Sequence, residues 1–189
     1  MTSSSLRFFL RSATSAHHRA LEEIVGPVET LSAYRRYLAG MYCFRAPVEL
    51  ALAGRLNPAP FQDWRPLELH GLLAADADDL DLALPEIGGP AELSNDSARL
   101  AGLFYVMEGS SLGAQLTYRT VSQFGMTDSH GARHLALQAG SIDNWRRYIG
   151  LLDSQTAIDR DALAAGADDA FLAVTRAFQS LDHDELAAG

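Results

Sequence analysis

Two adjacent histidines, His17 and His18, precede two adjacent glutamates, Glu22 and Glu23, in the stretch ATSAHHRALEE (13–23). A neutral imidazole binds transition metals or acts as a base. A carboxylate one helical turn away can take its second N–H, which fixes the tautomer and raises basicity. On a 3.6-residue period Leu10, Thr14, His18, Leu21 and Val25 share one stripe, and Phe9, Ala13, His17, Ala20 and Ile24 share the next. Both histidines thus lie on a largely apolar face, where a histidine is more often a core residue than a ligand. The carboxylates separate them. Glu22 follows His18 by four residues, one turn along the same face, whereas from His17 the glutamates are five and six away. His18 is the ligand candidate, and His17 is expected to turn toward the helix boundary.

A second stretch, GLFYVMEGSSLGAQL, sets Gly102, Gly109 and Gly113 inside a strongly helical pattern. Each glycine costs about 1 kcal/mol relative to alanine in a helix interior. Gly109 and Gly113 share a face, and Ser110 and Ser111 between them mark a place where helices bend. Two explanations stand: close helix packing, which spacing alone favours, or a flat ligand lying against bare backbone. One histidine cannot complete a zinc site, which needs about four ligands. It suffices for haem iron, where the porphyrin supplies four nitrogens and the histidine is axial. Arg11 lies seven residues before His18, two turns away on the same side, within reach of a propionate.

These residues must be positioned by helices. No run of strand length alternates, and apolar residues recur at spacings of three and four. Helices are expected over about 5–24, stopped by Gly26-Pro27, and over 31–56 with a kink or break at Pro47. Others are expected over 66–78, over 96–123 with Ser94 or Asn95 as cap, from about 141 through NWRRYIGLL, and over 159–181. NPAPFQDWRP and LALPEIGGPAELSND read as connectors. The 189 residues read as one all-α, multi-helix domain over 1–189 with no internal repeat.

Apolar residues make up 48% of the chain and charged residues 21%, a globular rather than disordered composition. The formal charge of −9 argues against nucleic acid as the main partner. No apolar run approaches the roughly 18 residues of a membrane span, and the N-terminal apolar cluster, Phe8 to Leu10, is too short for a secretory signal. Cys43 is the single cysteine, which excludes disulfides and thiolate clusters and suggests a reducing cytoplasm. All fifteen basic residues are arginine, so an anionic ligand would meet guanidinium forks or backbone N–H groups. His70, His130, His134 and His183 have no partner at ligand spacing and read as structural. DADDLDLAL reads as a solvated acidic edge, and Trp64 and Trp145 as packing residues.

LRSATSAHHRALE resembles the proximal helix of haem oxygenases, through Leu10, Arg11, Ala13, Thr14, His18 and Glu22. YVMEGSSLGAQ resembles the distal helix of the bacterial branch, through Tyr105, Glu108, Gly109, Ser110, Leu112 and Gly113. YRRYLAGMYCFRAPVELAL and NWRRYIGLL look like a second and a later helix of the same branch, whose biliverdin-producing members are often paired with bacterial phytochromes. The resemblance implies a helical bundle that sandwiches haem between a proximal and a kinked distal helix. It implies that haem b is both cofactor and substrate, opened with O₂ and external electrons to biliverdin, CO and ferrous iron. His18 would ligate the iron, with Thr14 and Glu22 beside it, and Gly109, Ser110 and Gly113 would form the distal face. Arg11, Arg146 and Phe171 would contact the ring or its propionates. A ferredoxin or reductase would supply electrons, and a bacteriophytochrome could receive the biliverdin. Ser110 stands where animal members carry an aspartate, so proton delivery would need another route, and Ala114 replaces a further glycine. Two alternatives stay open: a non-catalytic haem carrier or sensor, and a protein of this fold with a different ligand. A di-iron site is disfavoured, since no Glu-x-x-His motif occurs.

Overall fold

The computed structural model describes residues 5–187, with side chains through Asp182. The side chain of His183 lies outside that set. Nine helices occur among the described residues: α1 Leu6–Ala13, α2 Ser15–Val25, α3 Leu31–Leu52, α4 His70–Asp79, α5 Ser97–Gly109, α6 Ser111–Ser122, α7 Arg133–Gly140, α8 Ile142–Asp153 and α9 Arg160–Ala187. The all-α expectation holds, and the single β feature among the described residues is an isolated bridge between Thr127 and Gly131.

Local chemistry explains where the helices depart from the expected boundaries. The first expected helix is two, because Thr14 sends its hydroxyl back to the Leu10 carbonyl at 2.9 Å and Ser15 sends its own to Ser12 at 3.1 Å. Such back-bonding competes with the helical ladder and bends the chain. The second helix runs uninterrupted through Pro47 but stops at Leu52, short of Leu56. The third starts at His70 rather than Pro66. Asp96, not Ser94 or Asn95, caps α5, accepting from the Ala98 and Arg99 N–H groups at 2.8 and 3.0 Å. The fourth expected helix breaks at Ser110, within the Gly/Ser cluster, where the Ser110 hydroxyl bonds the Met107 carbonyl at 2.7 Å.

α9 is the axis of the bundle, with α2, α3 and α5 packed along it. The α5–α9 crossing is set by glycine on both sides. A Cβ on Gly102 would stand 2.2 Å from the Leu163 carbonyl oxygen, and one on Gly166 would stand 2.0 Å from that of Arg99. Arg45 is fully buried at the centre of the molecule. It pairs with Glu49 at 2.7 Å and donates to the Met107 and Leu67 carbonyls at 3.3 and 2.6 Å. That network ties α3 to the end of α5 and to the loop before α4.

α7 was not expected from the sequence. Its start is held by Asp76 of α4, which accepts the backbone N–H groups of Arg133 and His134 at 2.9 and 3.0 Å. Asp76 is therefore no part of a solvated acidic edge: it is fully buried, and Asp79 is paired with Arg133. Trp64 and Trp145 do pack, each 4% exposed.

Candidate functional site

The break at Thr14 re-aims the chain so that α2 lays one side on α9 and leaves the rest open; none of its residues is buried. His18 points outward, its side chain 61% exposed, with Nδ1 3.3 Å from Glu22 Oε1. The spacing argument thus corresponds to a geometric pair. That contact is an ion-pair distance rather than a formed hydrogen bond; with Glu22 on the Nδ1 side, Nε2 is the nitrogen that a metal would use. His17 does not turn toward the helix boundary. It faces α9, its Nε2 3.5 Å from Asp168 and its ring stacked on Phe171 at 6.3 Å. His18 meets the same Phe171 ring edge-on at 6.1 Å. Phe171 therefore underlies both histidines, one docked and one free.

The glycines of the second motif divide in the same way. Gly102 is a packing glycine. Gly113 is not: a Cβ there would meet nothing within 4 Å, and one on Gly109 would touch only the Trp145 ring, at 3.9 Å. With Leu112 and Leu116 exposed beside them, α6 presents bare backbone flanked by apolar side chains. Ser110 sits at the bend. Its hydroxyl hydrogen goes to Met107 and its oxygen accepts from Gln138 Nε2 at 2.9 Å. Glu108, fully buried one residue before Gly109, accepts from the Leu67 N–H and from Asn144 Nδ2, both at 2.8 Å. Burial pushes its carboxyl above the ordinary value, although these bonds and Arg45 oppose the rise.

Arg11 is exposed on α1, and its charge, with that of Arg7, is felt at Tyr105 of α5, whose hydroxyl is nonetheless raised by burial. Arg7 lies over the Trp145 ring at 5.9 Å, next to Gly109. Arg7 was missed in the sequence. The available signal was its i, i+4 spacing to Arg11, which sets two guanidinium groups on one face of α1. Arg146 is exposed on α8 and pairs with Asp143 on its own helix at 2.9 Å, and nothing gathers it with the other candidates. Thr14 is buried, so its contribution is the bend. Among the described residues no group of three or more His, Cys, Asp or Glu gathers to hold a metal ion. His18 on α2 and the glycine face of α6 are each open, and each by itself is compatible with a planar group that brings its own in-plane ligands.

No family model matches the chain. A curated relative, heme oxygenase PigA of Pseudomonas aeruginosa, is 28% identical over 177 residues, covering 86% of this chain and 85% of the relative. Among solved structures, the NO- and CO-bound heme oxygenase from Neisseria meningitidis superposes with a TM-score of 0.70 at 22% identity, covering 94% of each chain. No helix among the described residues is long and apolar enough to cross a membrane. The fold is that of the haem oxygenases, and across most of its length the chain resembles that family in sequence as well.

Proposed function

We propose that the protein is a haem oxygenase that binds haem b between α2 and the bent α5–α6 segment and converts it, with O₂ and external electrons, to biliverdin, CO and ferrous iron. The observation that carries this reading is the combination of a free, carboxylate-buttressed histidine with two glycines whose missing side chains serve no packing. Haem supplies the iron that binds O₂ and the ring carbon that is oxidised. The chain does the rest. His18 holds the iron through Nε2, Glu22 fixes its tautomer, and Phe171 supports the imidazole from α9. Gly109 and Gly113 let distal backbone approach the ring, and apolar Leu112 and Leu116 limit water there. Arg11 and Arg7 hold carboxylates of the ring edge near Tyr105. Arg146 contributes only if it leaves Asp143. The electron donor is a separate ferredoxin or reductase, and the setting is cytoplasmic. The phytochrome-associated branch, and with it a bacteriophytochrome as recipient, rests on the sequence motifs alone.

Hemin titration tests the first half. Wild type and His17→Ala should give the same Soret band, and His18→Ala should lose the histidine-ligated spectrum. A loss confined to His17→Ala overturns the assignment. Turnover tests the second half. With ascorbate or a reductase under O₂ the Soret band should decay as biliverdin absorbance grows. A stable Soret band without biliverdin would identify a carrier instead.

A further inference from the structure

α2 is loosely held for a helix that carries an iron-ligand candidate. None of its residues is buried, and it lies against α9 along one side. Apolar packing therefore resists a roll of α2 about its own axis less than it would for a core helix. Roll matters at a ligand. A side-chain tip stands about 5–6 Å from the helix axis, so a roll of roughly 20° carries it about 2 Å. Productive site geometry tolerates about 0.5 Å. Something other than buried apolar surface must set the roll, and His17 is placed to do so. It is one residue before His18, about 100° round the helix, and it faces α9 where His18 faces out. Its ring lies nearly parallel to that of Phe171, 16° between planes at 6.3 Å, and its Nε2 stands 3.5 Å from Asp168 Oδ1, within ion-pair reach. That oxygen is shut off from solvent and has no hydrogen-bond partner. Leaving a buried acceptor unmatched costs about 1–3 kcal/mol, so the carboxylate draws the imidazole toward it. Asp168 and Phe171 are three residues apart on α9 and share a face. One patch of α9 thus meets the edge of the His17 ring with a charge and its face with an aromatic. Either contact alone would let the ring slide; together they define an angle.

We propose that His17 is a positioning residue: clamped between Asp168 and Phe171, it fixes the roll of α2 on α9 and so the direction in which His18 presents Nε2. The use of that direction rests on the haem oxygenase reading; the clamp itself does not. The two neighbouring histidines then divide one task. His17 orients the helix from its inner side, and His18 binds from its outer side. Phe171 couples them, since the ring that stacks on His17 also meets His18 edge-on at 6.1 Å. A roll that pulled His17 off Phe171 would move the His18 imidazole along the same ring.

The clamp is tested in the haem-free chain by ¹³C-edited NOE spectroscopy. Wild type should show contacts from both histidine rings to the Phe171 ring. His17→Ala should weaken the His18–Phe171 contacts, and His17→Gln, which keeps a donor for Asp168, should restore part of them. Missing contacts in wild type, or His18–Phe171 contacts unchanged in a folded His17→Ala chain, overturn the proposal. Its consequence is tested with hemin. His17→Ala should keep the wild-type Soret band, broaden the iron–histidine stretching band of the ferrous form in resonance Raman spectra and speed hemin loss about tenfold. A role confined to stability would leave that band as it is, so an unchanged band overturns the positioning role. Asp168→Asn, which leaves α2 untouched, should broaden the band in the same way and serves if His17→Ala does not fold. If wild type with hemin shows no iron–histidine band, the haem oxygenase reading fails, while the NOE contacts still decide the clamp.

Discussion

At the scale of single residues, adjacent side chains are separated by what faces them. His17 and His18 were indistinguishable by period; Glu22 and Asp168 divide them, one facing out and one facing α9. The Glu22 spacing was legible because it is local. The Asp168 contact was not, because it spans two helices far apart in sequence. The same holds for Arg45, which reads as an ordinary helix-surface arginine four residues before Glu49 and is fully buried. Breaking a buried ion pair by removing one partner leaves the other charge uncompensated and costs about 3–5 kcal/mol. Arg45→Leu should therefore destabilise the chain by that order in urea. Removing both charges, as Arg45→Leu with Glu49→Leu, should recover part of the loss, although the Leu69 and His70 N–H groups then lose the Glu49 acceptor. A loss in the double variant equal to the sum of the Arg45→Leu and Glu49→Leu losses would show that the pair has no coupling.

At the scale of elements, the glycines mark how far sequence could go. Gly102, Gly109 and Gly113 share one motif, and the sequence favoured packing for them because a glycine's reason lies on a neighbour that is not local. The structure assigns packing to Gly102 and leaves Gly109 and Gly113 open. The bend at Ser110 was legible from composition, the break at Thr14 was not, and α7 was missed because Asp76, which anchors its start, lies 57 residues before Arg133. Substitution to alanine separates the two kinds of glycine. Gly102→Ala drives a Cβ into backbone that cannot yield, an overpacking cost of about 3 kcal/mol or more. Gly113→Ala meets open space and removes a flexible residue, a gain of up to about 1 kcal/mol, or about 2–4 °C in Tm for a chain this size. The same Gly113→Ala should weaken hemin binding. A drop in Tm for Gly113→Ala, or an unchanged hemin Kd, would count against the open-face reading.

At the scale of the whole molecule, the buried titratable groups set how the fold answers acid. Asp76 is buried, which raises its carboxyl, but the bonds from His134 and Arg133 outweigh that and hold it below 3.8. Its stabilisation is complete above the unfolded value and is lost as pH falls through the lower folded one. His134 is pushed below 6.5 by burial, against its bond to Asp76, so the unfolded chain takes up that proton first and stability starts to fall below about pH 6.5. Glu108 works the other way. Its folded value lies above 4.5, so between that value and 4.5 the folded chain holds the proton more tightly and acid adds stability. The expected profile is a loss beginning near pH 6.5, a flatter shelf where Glu108 offsets His134, and a steeper loss below pH 4 as Asp76 protonates. Urea unfolding midpoints across pH 3 to 8 would trace it. Glu108→Gln, which cannot titrate, should remove the shelf and leave both losses. A variant profile parallel to wild type throughout would mean that Glu108 keeps an ordinary pKa despite its burial.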